Sequence, residues 1–309
     1  MRILLITGDR ERHLNTNFYD MFYELSKIAE LTIWHAPGEI KEILNSLKLQ
    51  PDFIFINEYG ELAPKVTGLS SLSIPYGVLL HDLHHRIDLR KESLRRDNVQ
   101  HIFSISRDKF FEWYPEFAEQ FHWLPHPVNT DIFKDYQLAK DINYLIMGVV
   151  SVKGLYSLRY KMLMAMQNKP GFVFHEHPGY RRFTAEEKSR LFFGERYARE
   201  INRAKMFLTC GSKYNYSLSK YYEVLACNTL LLAPATQELY DLGFVPEENF
   251  VAVTESNFEE KAEYYLQHEE ERLAIARQGY EMVRARHSAV QRAKEMVDII
   301  TGILGQQQS

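Results

Sequence analysis

Two kinds of stretch alternate along the chain: short runs that are apolar throughout, and longer runs in which apolar residues recur every three or four positions. Arg2–Ile6 (RILLI), Leu31–Trp34, Phe53–Ile56, Tyr76–Leu80 and His101–Ile105 read as strands, with helical spacing over Phe18–Ile28 and Ile40–Leu47. The second half repeats the theme. Asn143–Val150, Phe172–His175, Met206–Cys210 and Thr229–Ala233 read as strands. Ser157–Gln167, Ala185–Phe193, Tyr197–Arg203 and Ser219–Cys227 read as helices, and everything from about Asn257 reads as helix. Strands that are apolar on both faces belong in parallel sheets covered by helices on either side. The expected fold class is therefore α/β, with two Rossmann-like domains. Ligands of such sheets sit at the carboxyl ends of the strands, which directs attention to Gly8–Arg10, Asn57–Gly60, His81–His85 and Ser106–Arg107.

Residues 124–136 (LPHPVNTDIFKDY) carry two prolines, an Asn-Thr-Asp turn and no periodicity, and read as the linker between domains 1–130 and 131–288. Two such domains would place the carboxyl ends of both sheets on one cleft, a geometry suited to a two-substrate enzyme. Composition narrows the classes. The chain has 309 residues, 45% apolar and 25% charged, which excludes a disordered chain, a collagen-like chain and a coiled coil. With 37 basic against 41 acidic residues the net charge is −4, so no broad nucleic-acid surface is expected. Cys210 and Cys227 form neither a zinc spacing nor a disulfide framework, and point to a reducing, cytoplasmic setting. No apolar run reaches the roughly 18 residues of a membrane helix.

The richest stretch is Ser217–Pro234, SLSKYYEVLACNTLLLAP. Ser217 or Ser219 suits an N-cap. Lys220 and Glu223 then share a helical face near the positive end of the dipole, where a cation suits a phosphate and a carboxylate can accept from two vicinal hydroxyls. On spacing alone, an exposed Lys–Glu pair is the better reading. GVVSVKGLYSLR, Gly148–Arg159, offers Ser151, Lys153, Gly154 and Arg159 as a phosphate cradle or an ordinary charged loop. HDLHHR, His81–Arg86, crowds three histidines into one loop with no distant partner cluster, which disfavours a metal. HEHPGY, His175–Tyr180, is no zinc-protease motif, and Gly8-Asp9-Arg10 lacks the dinucleotide glycines. Glu269 and Arg272 read as a solvated helix face.

The Ser217–Pro234 segment resembles the S-K-x-x-E-x-L-A-C-G core of group 1 glycosyltransferases with the two-domain GT-B fold, in the branch of the CgeB-like spore maturation proteins. FHWLPHPVNTDIF resembles that superfamily's interdomain linker. ERYAREINRAKMFLTCGS and the helices of Glu238–Ala293 resemble CgeB-type segments. The resemblance implies a hexosyltransferase that moves a sugar from a nucleoside-diphosphate sugar, a UDP-sugar in preference, to an acceptor hydroxyl with retention. It implies no metal and no cofactor. Glu223 would hold the donor ribose. Ser219, Lys220, Ser151, Lys153 and Arg159 would hold the diphosphate, with His177 and Gly179 lining the nucleotide pocket. Asn215 stands where relatives carry a sugar-contacting glutamate, and Asn228 where they carry glycine. His81 and Asp82 would face the reacting sugar and the acceptor, and Gly8, Asp9 and Arg10 would contact the acceptor, whether glycan, lipid-linked or protein. The helix 289–309 would pack back on the first domain. The rivals are a nucleotide-sugar epimerase or a phosphotransferase on the same fold, a catalytically degenerate nucleotide-sugar binder, and a DNA-modifying glycosyltransferase.

Overall fold

The computed structural model describes residues 1–8, 16–60, 63–151, 154–179, 181 and 183–306. The chain divides into two compact units. The first comprises Met1–Arg10, Tyr19–Pro125 and Val290–Ser309, and the second Glu11–Phe18 and His126–Ala289.

The first unit holds β1 (Arg2–Ile6), β2 (Glu30–Trp34), β3 (Gly38–Glu39), β4 (Phe53–Ile56), β5 (Val66–Thr67), β6 (Tyr76–Leu80), β7 (His101–Ser104) and β8 (Phe121–Trp123). Six of these form one sheet in the order β2-β1-β4-β6-β7-β8, every pair parallel. β3 and β5 pair separately. The central strands are apolar because both faces are covered: Leu4, Phe53, Ile54, Phe55, Val78 and Ile102 are all fully buried. Phe55 and Phe103 meet edge to face, with ring centroids 5.1 Å apart. Gly77 lies between these strands because a Cβ there would fall 2.6 Å from the Phe103 ring and 3.1 Å from Phe53. The glycine makes room for the aromatic layer.

The second unit holds β9 (Ile142–Met147), β10 (Phe172–His175), β11 (Ala204–Leu208), β12 (Leu230–Ala233) and β13 (Val251–Ala252), all parallel in the order β10-β9-β11-β12-β13. Residues two apart point to one face. Tyr144 with Ile146, Met206 with Leu208, and Leu230 with Leu232 therefore make a single apolar layer, closed by side chains of the helices beside it.

The helices in chain order are α1 (Asn17–Leu25), α2 (Ile40–Leu47), α3 (Ile87–Arg96), α4 (Arg107–Trp113), α5 (Ser157–Met166), α6 (Ala185–Arg190), α7 (Gly194–Arg203), α8 (Ser219–Ala226), α9 (Gln237–Asp241), α10 (Phe258–Gln267), α11 (Glu269–His287) and α12 (Ala289–Gln306). Met162 and Met166 of α5 and Phe258, Ala262 and Tyr265 of α10 close the second unit's layer. The reading of Glu269 and Arg272 as a solvated face holds for Glu269, which is exposed, and is corrected for Arg272. Arg272 is 3% exposed, and its guanidinium donates to the carbonyls of Tyr265 and Leu266 as well as to Glu269, locking α11 against the end of α10. No helix among the described residues is long and apolar enough to cross a membrane.

Candidate functional site

In the second unit the strands end at one edge, and chemistry-bearing residues collect there. β9 stops at Met147, short of the Val150 expected, because Gly148 turns the chain at φ +130. Only glycine takes that conformation without strain. The turn is tight for a reason. A Cβ on Gly148 would fall 3.0 Å from Nη1 of Arg159 and 3.2 Å from Cε of Lys220, so the backbone is packed against both cations. Arg159, in the first turn of α5, is 2% exposed. Its Nη1 donates to the Val149 carbonyl at 2.8 Å and its Nη2 to Thr209 Oγ1 at 3.2 Å, while the guanidinium lies 4.4 Å over the Tyr156 ring. Its Nε is buried with no hydrogen-bond partner among the described residues. This residue is no ordinary surface charge.

α8 brings in the next groups. Its N-cap is Leu218, with no side-chain cap, which corrects the expectation of a serine cap. Ser217 Oγ goes instead to Glu238, at 3.4 Å, and Ser219 turns toward Glu223. Lys220 is half-buried, with Nζ 5.6 Å from the Tyr197 ring centroid. Burial and the Arg159 guanidinium push its ammonium down to about 8, only partly opposed by Glu223. Glu223 is 4% exposed, so the exposed Lys–Glu pair does not form. Burial raises its carboxyl, against Lys220 and hydrogen bonds that favour the ionised form. One of those bonds comes from far off in sequence: Asn17 Nδ2 donates to Glu223 Oε1 at 2.9 Å, both side chains buried. Asn17 belongs to the Glu11–Phe18 segment that groups with this unit. α8 ends with Asn228 in the left-handed region at φ 53, just after the C-cap Cys227. The short amide side chain tolerates that geometry and reaches Asp135 at 2.9 Å.

β10 contributes His177 two residues past its end. The Gly179 N–H donates to His177 Nδ1 at 2.9 Å, so a neutral ring carries its proton on Nε2. Burial, Lys220 and Arg159 all lower this histidine's pKa, which keeps it neutral near pH 7. Arg159, Lys220 and His177 thus form one mutually coupled group of two cations and a neutral N–H donor. Gly179 itself, at φ +88, has no described residue beyond its chain neighbours within 4 Å of where a Cβ would stand. After β11, Asn215 is exposed in the left-handed region at φ 60, and its N–H closes a turn onto the Ser212 carbonyl at 2.8 Å. The neighbouring Lys213 N–H donates to Leu155 O at 2.7 Å, which ties this loop to the turn after β9. In that turn Ser151 packs so closely on Gly154 that a Cβ there would overlap it. Lys153 lies outside the described residues.

The first unit places His81 at the carboxyl end of β6. Its Nε2 lies 3.0 Å from Glu58 Oε1 and 3.1 Å from Asn57 Oδ1. Two acceptors on one nitrogen fix the proton there. Glu58 takes φ +60 to make this contact. Asp82 is exposed, and its carbonyl accepts from the Arg90 guanidinium and the His85 N–H. Gly8 follows β1, and its carbonyl accepts from the Tyr19 hydroxyl at 3.3 Å. Asp9 and Arg10 lie outside the described residues. Among the described residues no group of three or more His, Cys, Asp or Glu side chains could hold a metal ion. The residues that sequence reasoning missed are Asn17, Tyr197 and Thr209. Tyr197 and Thr209 lie in motifs already noticed, whereas nothing local marks Asn17.

Residues 159–298 match the family model described as "Glycosyl transferase-like", a span that takes in Arg159, His177, Tyr197, Lys220 and Glu223. No curated protein sequence matches the chain. Among solved structures, HepE of Anabaena in complex with UDP is 10% identical, with TM-score 0.67, covering 98% of this chain and 100% of that one. The same protein in complex with UDP-glucose is 11% identical, with TM-score 0.65, covering 98% and 100%. Sucrose-phosphate synthase of Thermosynechococcus elongatus is 13% identical, with TM-score 0.68, covering 99% and 100%. At such identities the likeness is one of fold: the chain has the mixed α/β GT-B fold of these glycosyltransferases.

Proposed function

We propose that the protein transfers a sugar from a nucleoside-diphosphate sugar to an acceptor hydroxyl. One observation carries the reading above all. A cationic pair, Arg159 and Lys220, is packed against a glycine turn at the sheet's carboxyl edge, with a buried carboxylate, Glu223, three residues along the same helix. A diphosphate between the two cations relieves their mutual repulsion and neutralises the charge that grows on the leaving group, with no metal required. The Nε2–H of His177 adds a neutral donor. The ionised Glu223 accepts from the ribose diol. We assign donor binding to the second unit and acceptor binding to the first, with His81 and Asp82 beside the reacting sugar, Asp82 free to take the acceptor proton, and Gly8, Asp9 and Arg10 on the acceptor. Asn215, where group 1 relatives carry glutamate, contacts the donor sugar as a neutral amide. Uridine is the preferred base, supported by the UDP and UDP-glucose complexes of HepE. The outcome is retention, the acceptor is a glycan, lipid-linked or protein hydroxyl, and the chain is grouped with the CgeB-like proteins on the motifs given above.

The test is nucleotide release. The protein is incubated with UDP-, GDP-, CDP-, dTDP- and ADP-sugars, with and without candidate acceptors, and product anomers are read from proton couplings. One donor should be consumed, faster with acceptor, and retain its anomeric configuration. Glu223→Gln should weaken donor binding about 10-fold or more while leaving the melting temperature nearly unchanged, since the amide fills the same space. Unfolding of that variant with normal turnover in the surviving fraction would make Glu223 a structural group. Donor isomerisation without acceptor would replace transfer by epimerisation.

A further inference from the structure

Tyr197 enters none of the roles above, yet its surroundings are unusual for a core tyrosine. It lies in the first turn of α7, 9% exposed, on the face that also buries Ala198 and Ile201. Its ring meets Phe133 edge to face, with centroids 5.8 Å apart, and lies under Lys220. Those contacts account for the ring but not for the hydroxyl. The hydroxyl is buried beside the Glu223 carboxylate and near enough to act on it, but it meets neither that carboxylate nor any other described residue with the distance and angle of a full hydrogen bond. A phenol buried without a partner costs stability, and phenylalanine would fill the space without that cost. Meanwhile Glu223 Oε1 is taken by the Asn17 amide. A carboxylate has about four acceptor positions, so the phenol has somewhere to donate once the carboxylate turns.

We propose that Tyr197 is a positioning residue for the donor: when a ribose diol engages Glu223, the carboxylate turns and accepts the Tyr197 hydroxyl, which then holds it ionised and aimed at the two sugar hydroxyls. The inference rests on the reading of the second unit as a nucleotide-sugar site. The hydroxyl is poorly aligned on the carboxylate in the free protein and well aligned in the complex, so most of its free energy appears as affinity instead of stability.

The groups facing Glu223 among the described residues include Lys220 and Ser219 on its own helix, Tyr197 on α7, Asn17 on α1 and, through its thiol, Cys227. Arg159 of α5 faces both Tyr197 and Lys220, and His177 faces Lys220. A hydrogen bond to the ionised carboxylate lowers its pKa, so losing the phenol raises it. Nucleotide affinity needs the carboxylate ionised, and therefore falls as pH drops through that value.

The experiment is Tyr197→Phe in the full chain, against UDP, GDP, CDP, dTDP and ADP. We expect a melting temperature for the free protein equal to or above that of the wild type. We expect about 10-fold weaker binding of whichever nucleotide the wild type prefers. The acid limb of the affinity profile should move up by about half a pH unit or more. In donor turnover KM rises while kcat stays within about two-fold. A variant that melts several degrees lower would show that the hydroxyl is already bonded in the free protein, and overturns the proposal. So does unchanged affinity with an unmoved acid limb. If the wild type binds none of the five nucleotides, the donor reading itself falls, and this inference with it; a wild type that binds and a variant that binds equally well sinks this inference alone.

Discussion

Lys220 shows how one side chain trades stability against binding. Its ammonium is held down to about 8 by burial and by Arg159, against an ordinary value of 10.5. Between those two pH values the unfolded chain keeps a proton that the folded chain has lost. Stability therefore rises with pH across that window, and at pH 7 the full penalty of the desolvated charge is present. Lys220→Met should stabilise the free protein by about 1–3 kcal/mol at neutral pH, an advantage that shrinks above pH 8, as denaturant titrations at pH 7 and pH 9.5 would show. The same change should abolish most nucleotide binding. In the wild type, affinity for a nucleoside diphosphate should fall as pH rises through about 8, with proton uptake on binding detected by calorimetry in buffers of different ionisation heat. A lysine that lost stability on replacement by Met would be a structural cation like Lys140, whose ammonium donates to two carbonyls and the Thr229 hydroxyl.

At the scale of elements, the turn after β9 decides where the cations stand. Gly148→Ala forces a left-handed backbone on an L side chain and drives its methyl toward Arg159 and Lys220. It should cost about 1–3 kcal/mol of stability and lower nucleotide affinity as well, both readable in one thermal-shift series with and without ligand. A stability loss with intact affinity would mean that the cations keep their places without the turn. The elements themselves were unevenly legible. Strands buried on both faces announce themselves as unbroken apolar runs, and Arg2–Ile6, Phe53–Ile56 and Tyr76–Leu80 have the bounds their runs indicate; Phe172–His175, half-buried at a sheet edge, has its expected bounds as well. α3 escaped notice because IDLRKESLRR buries only Arg90 and Leu94, too few positions for a periodic signal. β8 is three half-buried residues at a sheet edge, and left no more of a trace. Lys220 and Glu223 were visible as a motif, but their burial was not, because it depends on Asn17 and Tyr197, which are distant in sequence. Arg272 was misread for the same reason: its partners are carbonyls at the end of the preceding helix, and a backbone acceptor leaves no mark on a sequence.

At the scale of the whole chain, the donor residues belong to one unit, and the consequence is measurable. Nucleotide binding should protect amides of the turn after β9, the segment after β10 and the first turn of α8 from hydrogen exchange, with smaller changes along β1, β4 and β6. Protection concentrated in the first unit's strands would reverse the donor and acceptor assignment. The partition of the chain also sets an order of events during synthesis. The first unit draws on Val290–Ser309, whose Ala293, Met296, Ile300 and Ile303 are buried, while nearly all of the second unit lies in between. A ribosome must therefore translate the whole second unit before the first receives its last helix. The half made earliest is the half completed last, and until then its strands wait with apolar surface uncovered, in need of a chaperone's attention longer than their place in the chain would imply.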